Sequence, residues 1–166
     1  MREVLLVKEL YPAVRTWLVS LLSRFEDSDM FEGGSFRFGY YNPSKSDMDF
    51  FVYVPDEKGG VFRGLLEANG FTLNNLATYS FLLPVNVYER DFIQIVQILD
   101  IKSYKLQKEN NELIEKHIQS NRELLRFVKE IYQHSELEET DSGRKKKVFE
   151  YSGSDLFNML LRSVGK

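Results

Sequence analysis

Apolar residues at Val14, Trp17, Leu18, Leu21, Leu22 and Phe25 recur at three- and four-residue steps, the spacing of one helix face. Pro12 suits the first turn of that helix. Residues 3–10 are read as a short helix of their own, kinked or separated at the proline. Asp27, Ser28 and Asp29 break the pattern, and Met30 to Glu32 is expected as a short strand running into Gly33 and Gly34. Phe50 to Val54 (FFVYV) is rich in β-branched and aromatic residues and ends at Pro55, which predicts a strand. Val61 to Ala68 fits a short helix closed by Asn69 and Gly70. Strands are expected over Thr78 to Leu83 and Val85 to Glu89, with Pro84 between them, and over Phe92 to Leu99 (FIQIVQIL).

After Asp100 the period changes. Leu106, Leu113, Ile114, Ile118, Leu124, Leu125, Val128, Ile131 and Tyr132 keep helical spacing to about residue 133. Residues 135–147 run acidic and then basic without an apolar period, and read as a loop or linker. A last helix is expected over Asp155 to Val164 behind Ser154 as N-cap. The order predicts an α+β fold, a small mixed sheet on helices with a helical C-terminal part. The division expected is a core over 1–100 and a helical extension over 101–166.

Composition narrows the chemistry. The 166 residues are 43% hydrophobic and 28% charged, a globular balance able to bury one core. A net charge of −3 argues against broad affinity for nucleic acid, which requires many phosphates to be neutralised. The absence of cysteine excludes disulfides, thiolate nucleophiles and Cys-rich zinc sites. The first residues carry charges through their apolar stretch and do not read as a signal peptide. No apolar run approaches the ~18 residues of a membrane span, so no membrane partner is expected, and cytoplasm is the default setting.

The candidate chemistry lies in Gly33 to Phe51, GGSFRFGYYNPSKSDMDFF. Glycines at Gly33 and Gly34 let the backbone approach a phosphate, and successive N–H groups of a turn form an anion nest. Ser35 adds a hydroxyl donor, and a helix starting near Phe36 would strengthen the site. Asp47 and Asp49, two apart on an extended segment, share one face. Paired carboxylates can hold Mg²⁺, which also bridges to nucleotide phosphates.

Gly34-Ser35, then residues 36–46, then Ser46-Asp47-Met48-Asp49 leading into a β run resembles the signature of the DNA-polymerase-beta-like nucleotidyltransferase superfamily. Arg37 and Gly39 resemble the Arg and Gly often found in the intervening segment. The resemblance covers roughly residues 13–100. It implies a nucleotidyltransferase-like core that moves a nucleoside monophosphate from a nucleoside triphosphate, ATP among the candidates, to an acceptor hydroxyl. Mg²⁺ (or Mn²⁺) would be the cofactor. Gly33, Gly34, Ser35, Arg37 and Lys45 would bind nucleotide, and Asp47 and Asp49 would bind metal and act in catalysis.

The third acid of that family departs here. Its apolar-Asp-apolar-apolar pattern is best matched by Ile93-Gln94-Ile95-Val96, which puts neutral Gln94 in the acid's place. Asp91 is the first substitute and is expected on the face opposite Gln94, with Glu89 sharing Asp91's face as a second. An acid that reaches the metals makes a working enzyme. Gln94 in that place makes a catalytically impaired protein that binds a nucleotide or serves as a scaffold or inhibitor. Tyr40 and Tyr41 could stack on a base. His117 and His134 lack partners that would mark them as ligands, and Gly143 to Lys147 is a short basic run. The resemblance leaves the acceptor open between a protein, a nucleic acid and a small molecule.

Overall fold

The computed structural model describes residues 4–37, 47–75, 83–113, 115–116, 137–139 and 145–147. Helix α1 spans Val4–Leu22 and carries Pro12 inside it. The expected separation into two helices at the proline is therefore corrected. Pro12 forfeits one bond to the carbonyl four residues back, but its neighbours Leu10, Tyr11, Val14, Trp17, Leu18, Leu21 and Leu22 all pack into the core. Burying side chains of this size is worth about 1.5–3 kcal/mol each, enough to hold one helix across the fault.

Strand β1 (Asp29–Gly33) runs directly into a four-residue helix α2 (Gly34–Arg37). Strand β2 (Met48–Tyr53) leads to helix α3 (Asp56–Ala68), longer at its start than the apolar spacing predicts. Asp56 and Glu57 occupy its first turn, where acids suit the helix dipole. Strands β3 (Thr72–Leu73), β4 (Val85–Arg90) and β5 (Ile93–Ile98) follow. Helix α4 covers residues 101–113, with 115–116 also helical. Asp100 caps it, accepting from Ser103 N–H at 2.8 Å and Ser103 Oγ at 2.7 Å.

The sheet order is β1-β2-β5-β4-β3, with β2 parallel to β5 and every other pair antiparallel. This is the small mixed sheet on helices that the sequence predicts. Met48, Phe50, Val52, Ile93, Ile95 and Tyr88 face α1 and α3, where they meet Leu18, Leu21, Phe62 and Leu66. Phe51, Val96, Val87 and Ile98 face the other way, toward Tyr104 of α4. Period two along each strand builds both layers.

Helix α4 lies against the edge strand β1. Lys108 Nζ is 2.6 Å from Asp29 Oδ2, and Asn111 Nδ2 donates to the Glu32 carbonyl at 2.8 Å. Tyr104 is buried against Phe31 at 5.5 Å and Tyr53 at 5.8 Å between ring centroids. Burial pushes the Asp29 carboxyl up, but the Lys108 ammonium that donates to it and the nearby Met30 N–H outweigh this and leave it below the usual value. Burial and the Asp29 charge hold the Tyr104 phenol well above the ordinary range.

Three other expectations meet the structure differently. Leu83 stands in a bend outside any strand, and residues 78–82 lie outside the described residues. The segment read as a loop forms an antiparallel pair, β6 (Leu137–Glu139) with β7 (Lys145–Lys147). Its register sets Glu138 opposite Lys146 and Glu139 opposite Lys145. The expected helices beyond residue 116, with His117 and His134, lie outside the described residues.

Candidate active site at the end of the sheet

The pairing of strands fixes the site before any side chain is considered. Gly33 is in register with Asp49, Asp49 with Gln94, Gln94 with Glu89, and Glu89 with Thr72. One row therefore crosses all five strands on the α4 side of the sheet. The next row inward on the same side, Phe31, Phe51, Val96 and Val87, is apolar and packs with α4. The polar row lies beyond it, at the end where β1 stops and β2 and β5 start.

Gly34 begins α2 with φ of +70°, and a Cβ added there would overlap Asp49 Oδ2 and come 2.7 Å from Asp49 Cγ. The carboxylate of Asp49 therefore fills the space a side chain at 34 would need. Glycine is required twice over, by conformation and by this contact. A Cβ at Gly33 would meet the Phe51 ring at 2.7 Å and Asn111 Oδ1 at 3.0 Å. The glycine turn and the second acid are in direct contact.

Asp47 immediately precedes β2, is half-buried, and has the same parity as Asp49. Met48 N–H donates to the Phe92 carbonyl at 2.8 Å, which anchors the segment between the two acids to the β4–β5 turn. Arg37 ends α2, and its guanidinium is 2.7 Å from Glu115 Oε1 and 3.7 Å from Glu32 Oε2. Glu32 also holds Arg15. Arg15, Glu32, Arg37, Lys108, Asn111 and Glu115 line a polar pocket of about 200 Å³ beside β1. Tyr11 stacks on Phe50 at 5.3 Å. Burial raises its phenol well above the ordinary value, with Glu32 and Asp49 adding to this against Arg37 and Arg15. Ser35 lies in α2, while Tyr40, Tyr41 and Lys45 lie outside the described residues.

The two substitutes for the third acid are not equivalent. Asp91 is the first residue of the two-residue turn between β4 and β5, with φ of +54°. Its side chain is 75% exposed and 4.0 Å from Arg90 Nε. Glu89 pairs with Gln94 across the hairpin, so it shares the face of Gln94 and Asp49. The expectation that Glu89 lies opposite Gln94 is corrected, because the chain reverses between them. Glu89 Oε1 accepts from Gln94 Nε2 at 2.8 Å and Glu89 Oε2 accepts from Asn74 Nδ2 at 2.8 Å. Sequence reasoning passed over Asn74. Its signal was position alone, just past β3, where its N–H bonds the Val87 carbonyl at 2.7 Å.

Among the described residues no three acids or histidines converge into a cage for a metal ion. The donors nevertheless suit Mg²⁺, which is usually held by one or two carboxylates plus substrate phosphates. The contact between Gly34 and Asp49 supplies the close approach of backbone and carboxylate that such a group requires. Among the described residues no helix is long and apolar enough to cross a membrane.

Comparison with known proteins bears on the fold. No curated protein matches the chain in sequence. Among solved structures, a cytoplasmic RNA terminal U-transferase is similar at 21% identity and a TM-score of 0.54, over 79% of this chain and 40% of that one. The poly(U) polymerase Cid1 is similar at 20% and 0.55, over 80% and 42%. The conserved protein GrpB from Enterococcus faecalis is similar at 15% and 0.56, over 94% and 90%. At these identities the likeness is one of fold, and the chain spans about two fifths of the length of the two transferases. A family profile described as the nucleotidyltransferase domain matches residues 14–150, most of the chain, and the protein belongs to that nucleotidyltransferase family.

Proposed function

We propose that this chain binds a nucleoside triphosphate with a divalent cation at the Gly34–Asp49 contact and transfers the nucleoside monophosphate to an acceptor hydroxyl. The observation that carries the reading is the carboxylate of Asp49 lying against the glycine turn, with Asp47 beside it in sequence and on the same face. In this reading the turn of Gly33, Gly34 and Ser35 holds phosphate oxygens through backbone N–H groups, and Asp47 and Asp49 hold the cation. When bound, the cation would neutralise charge on the triphosphate and on the leaving pyrophosphate.

The acceptor oxygen forms a bond to the α-phosphorus, the bond from that phosphorus to the bridging oxygen breaks, and pyrophosphate leaves with the electron pair. The acceptor's proton passes to a carboxylate of the site. Positioning and charge neutralisation do most of the work in such in-line displacements. Arg37 and Lys45 remain candidates for the triphosphate, Arg37 by exchanging Glu115 and Glu32 for phosphate oxygens. Asp91 is left out of the proposed machinery because of its place in the exposed turn.

A terminal U-transferase and a poly(U) polymerase share this fold, so UTP and an RNA 3′ end are the first substrates to try. The expected result is release of pyrophosphate by the wild type, lost by at least 100-fold in Asp47→Ala and Asp49→Ala with circular dichroism unchanged. Release that survives both substitutions would remove this reading. A second reading is favoured by Gln94, a neutral side chain in register with Asp49: a protein of the same fold that binds the nucleotide without turnover. Calorimetry with UTP and Mg²⁺ beside the pyrophosphate assay separates the two, since tight binding without product selects the second.

A further inference from the structure

Gln94 is more than an acid lost. An amide side chain is ambiguous by itself, because either end can face a neighbour. Here its orientation is decided by chemistry. A carboxylate only accepts, so the contact of 2.8 Å with Glu89 Oε1 must be made by the Gln94 nitrogen. The carbonyl oxygen is therefore not the atom that faces the Glu89 carboxylate, and it is left for another neighbour. The strand on the other side of Gln94 is β2, and the residue in register there is Asp49, roughly 4.8 Å across the sheet.

Glu89 is itself fixed. Its second oxygen takes the Asn74 amide at 2.8 Å, Asn74 is tied by its N–H to the Val87 carbonyl, and the Glu89 carbonyl receives Thr72 Oγ1 at 3.4 Å. Both carboxylate oxygens are thus occupied by amide donors, which suits Glu89 to orient a neighbour better than to take a proton. Donation to a carboxylate also polarises an amide and makes its carbonyl oxygen a stronger ligand, as outer carboxylates do for metal-bound histidines.

We propose that the Gln94 carbonyl oxygen is a ligand of the same divalent cation as Asp49, and that Glu89, braced by Asn74, is the positioning residue that aims and strengthens it. The negative charge absent from Gln94 stands one strand away and acts through the amide. This assignment rests on the reading of Asp49 as a cation ligand.

The test is Mn²⁺ binding to the full chain in the presence of a non-hydrolysable UTP analogue, followed by calorimetry, with thermal unfolding as the control for fold. Glu89→Gln is expected to weaken Mn²⁺ by about 10- to 100-fold, the usual effect of losing an outer-shell partner. Gln94→Leu is expected to weaken it at least as much, and adding Glu89→Gln to Gln94→Leu to cost nothing further. A Gln94→Asp background reverses the sign. There Glu89 is a like charge beside a new carboxylate, so Glu89→Gln tightens Mn²⁺. A purely structural role for Glu89 gives no such reversal. Asn74→Ala, which frees one Glu89 oxygen, gives a smaller loss in the same direction and serves if Glu89→Gln fails to fold.

Glu89→Gln or Asn74→Ala variants that fold and bind Mn²⁺ within twofold of wild type, while Asp49→Asn abolishes binding, overturn the inference and leave the nucleotide site standing. Equal Mn²⁺ binding by wild type and Asp49→Asn overturns both.

Discussion

Gly34 and Asp91 stand at the same end of the sheet and share a left-handed backbone, with φ of +70° and +54°. One turn joins β1 to α2, and the other joins β4 to β5. Around Gly34 there is no room for a single carbon, because the Asp49 carboxylate occupies it. Around Asp91 the side chain is mostly in solvent. Conformation alone does not distinguish the two turns. What separates them is what the turn touches.

The comparison is tested most severely at Gly34. Gly34→Ala is expected to abolish binding of the nucleotide and cation, by more than 100-fold in calorimetry, since the new methyl group must displace Asp49. It should also lower stability by about 1–2 kcal/mol for the left-handed backbone alone. Normal binding by a folded Gly34→Ala protein would show that Asp49 does not depend on the turn.

Asp91→Gly carries the opposite expectation. A positive φ at the first position of a two-residue hairpin loop, and not the second, is the setting in which glycine is preferred. The substitution should leave nucleotide binding unchanged and raise stability by up to about 1 kcal/mol in chemical denaturation. A large loss of activity would return Asp91 to the machinery.

The smallest effect is expected at the far end of β1, where Asp29 meets Lys108. Its folded-state value lies below that of the unfolded chain, so its contribution is fully present above the ordinary carboxylate value near 3.9 and is lost as pH falls through the lowered folded value. Asp29→Asn should cost no more than about 1 kcal/mol at neutral pH, with the difference from wild type vanishing in acid. Thermal unfolding across pH 2–7 reads this, and binding at the turn should not change.

The local patterns of the candidate site were more legible in the sequence than its surroundings. The parity of Asp47 and Asp49, the glycines before them and the apolar alternation of β2 and β5 are local patterns, and they survive folding unchanged. The relation of Glu89 to Gln94 depended on where the chain reverses. Asp91 and Phe92 are not among the strong hairpin dipeptides, and alternation continued through them assigns Glu89 to the wrong face. Strand β3, with Thr72 and Leu73, is too short for any period to register, so Asn74 was invisible as a partner. Pro12 shows the opposite limit, a strong local signal overruled by burial on either side. Arg37 was singled out from its place in the motif, but its engagement with Glu115 joins residues 78 positions apart, which no local pattern contains.

Asn111 has an effect beyond holding α4 in place. A strand at the border of a sheet offers its unpaired carbonyls to any passing chain, and β1 is such a strand. By donating its amide to the Glu32 carbonyl, Asn111 occupies one of those acceptors. The opposite border, β3, is two residues long and gives an incoming strand little to grip. Lateral growth by stacking chain on chain is therefore discouraged on both sides, and Asn111→Ala would reopen the longer one to self-association.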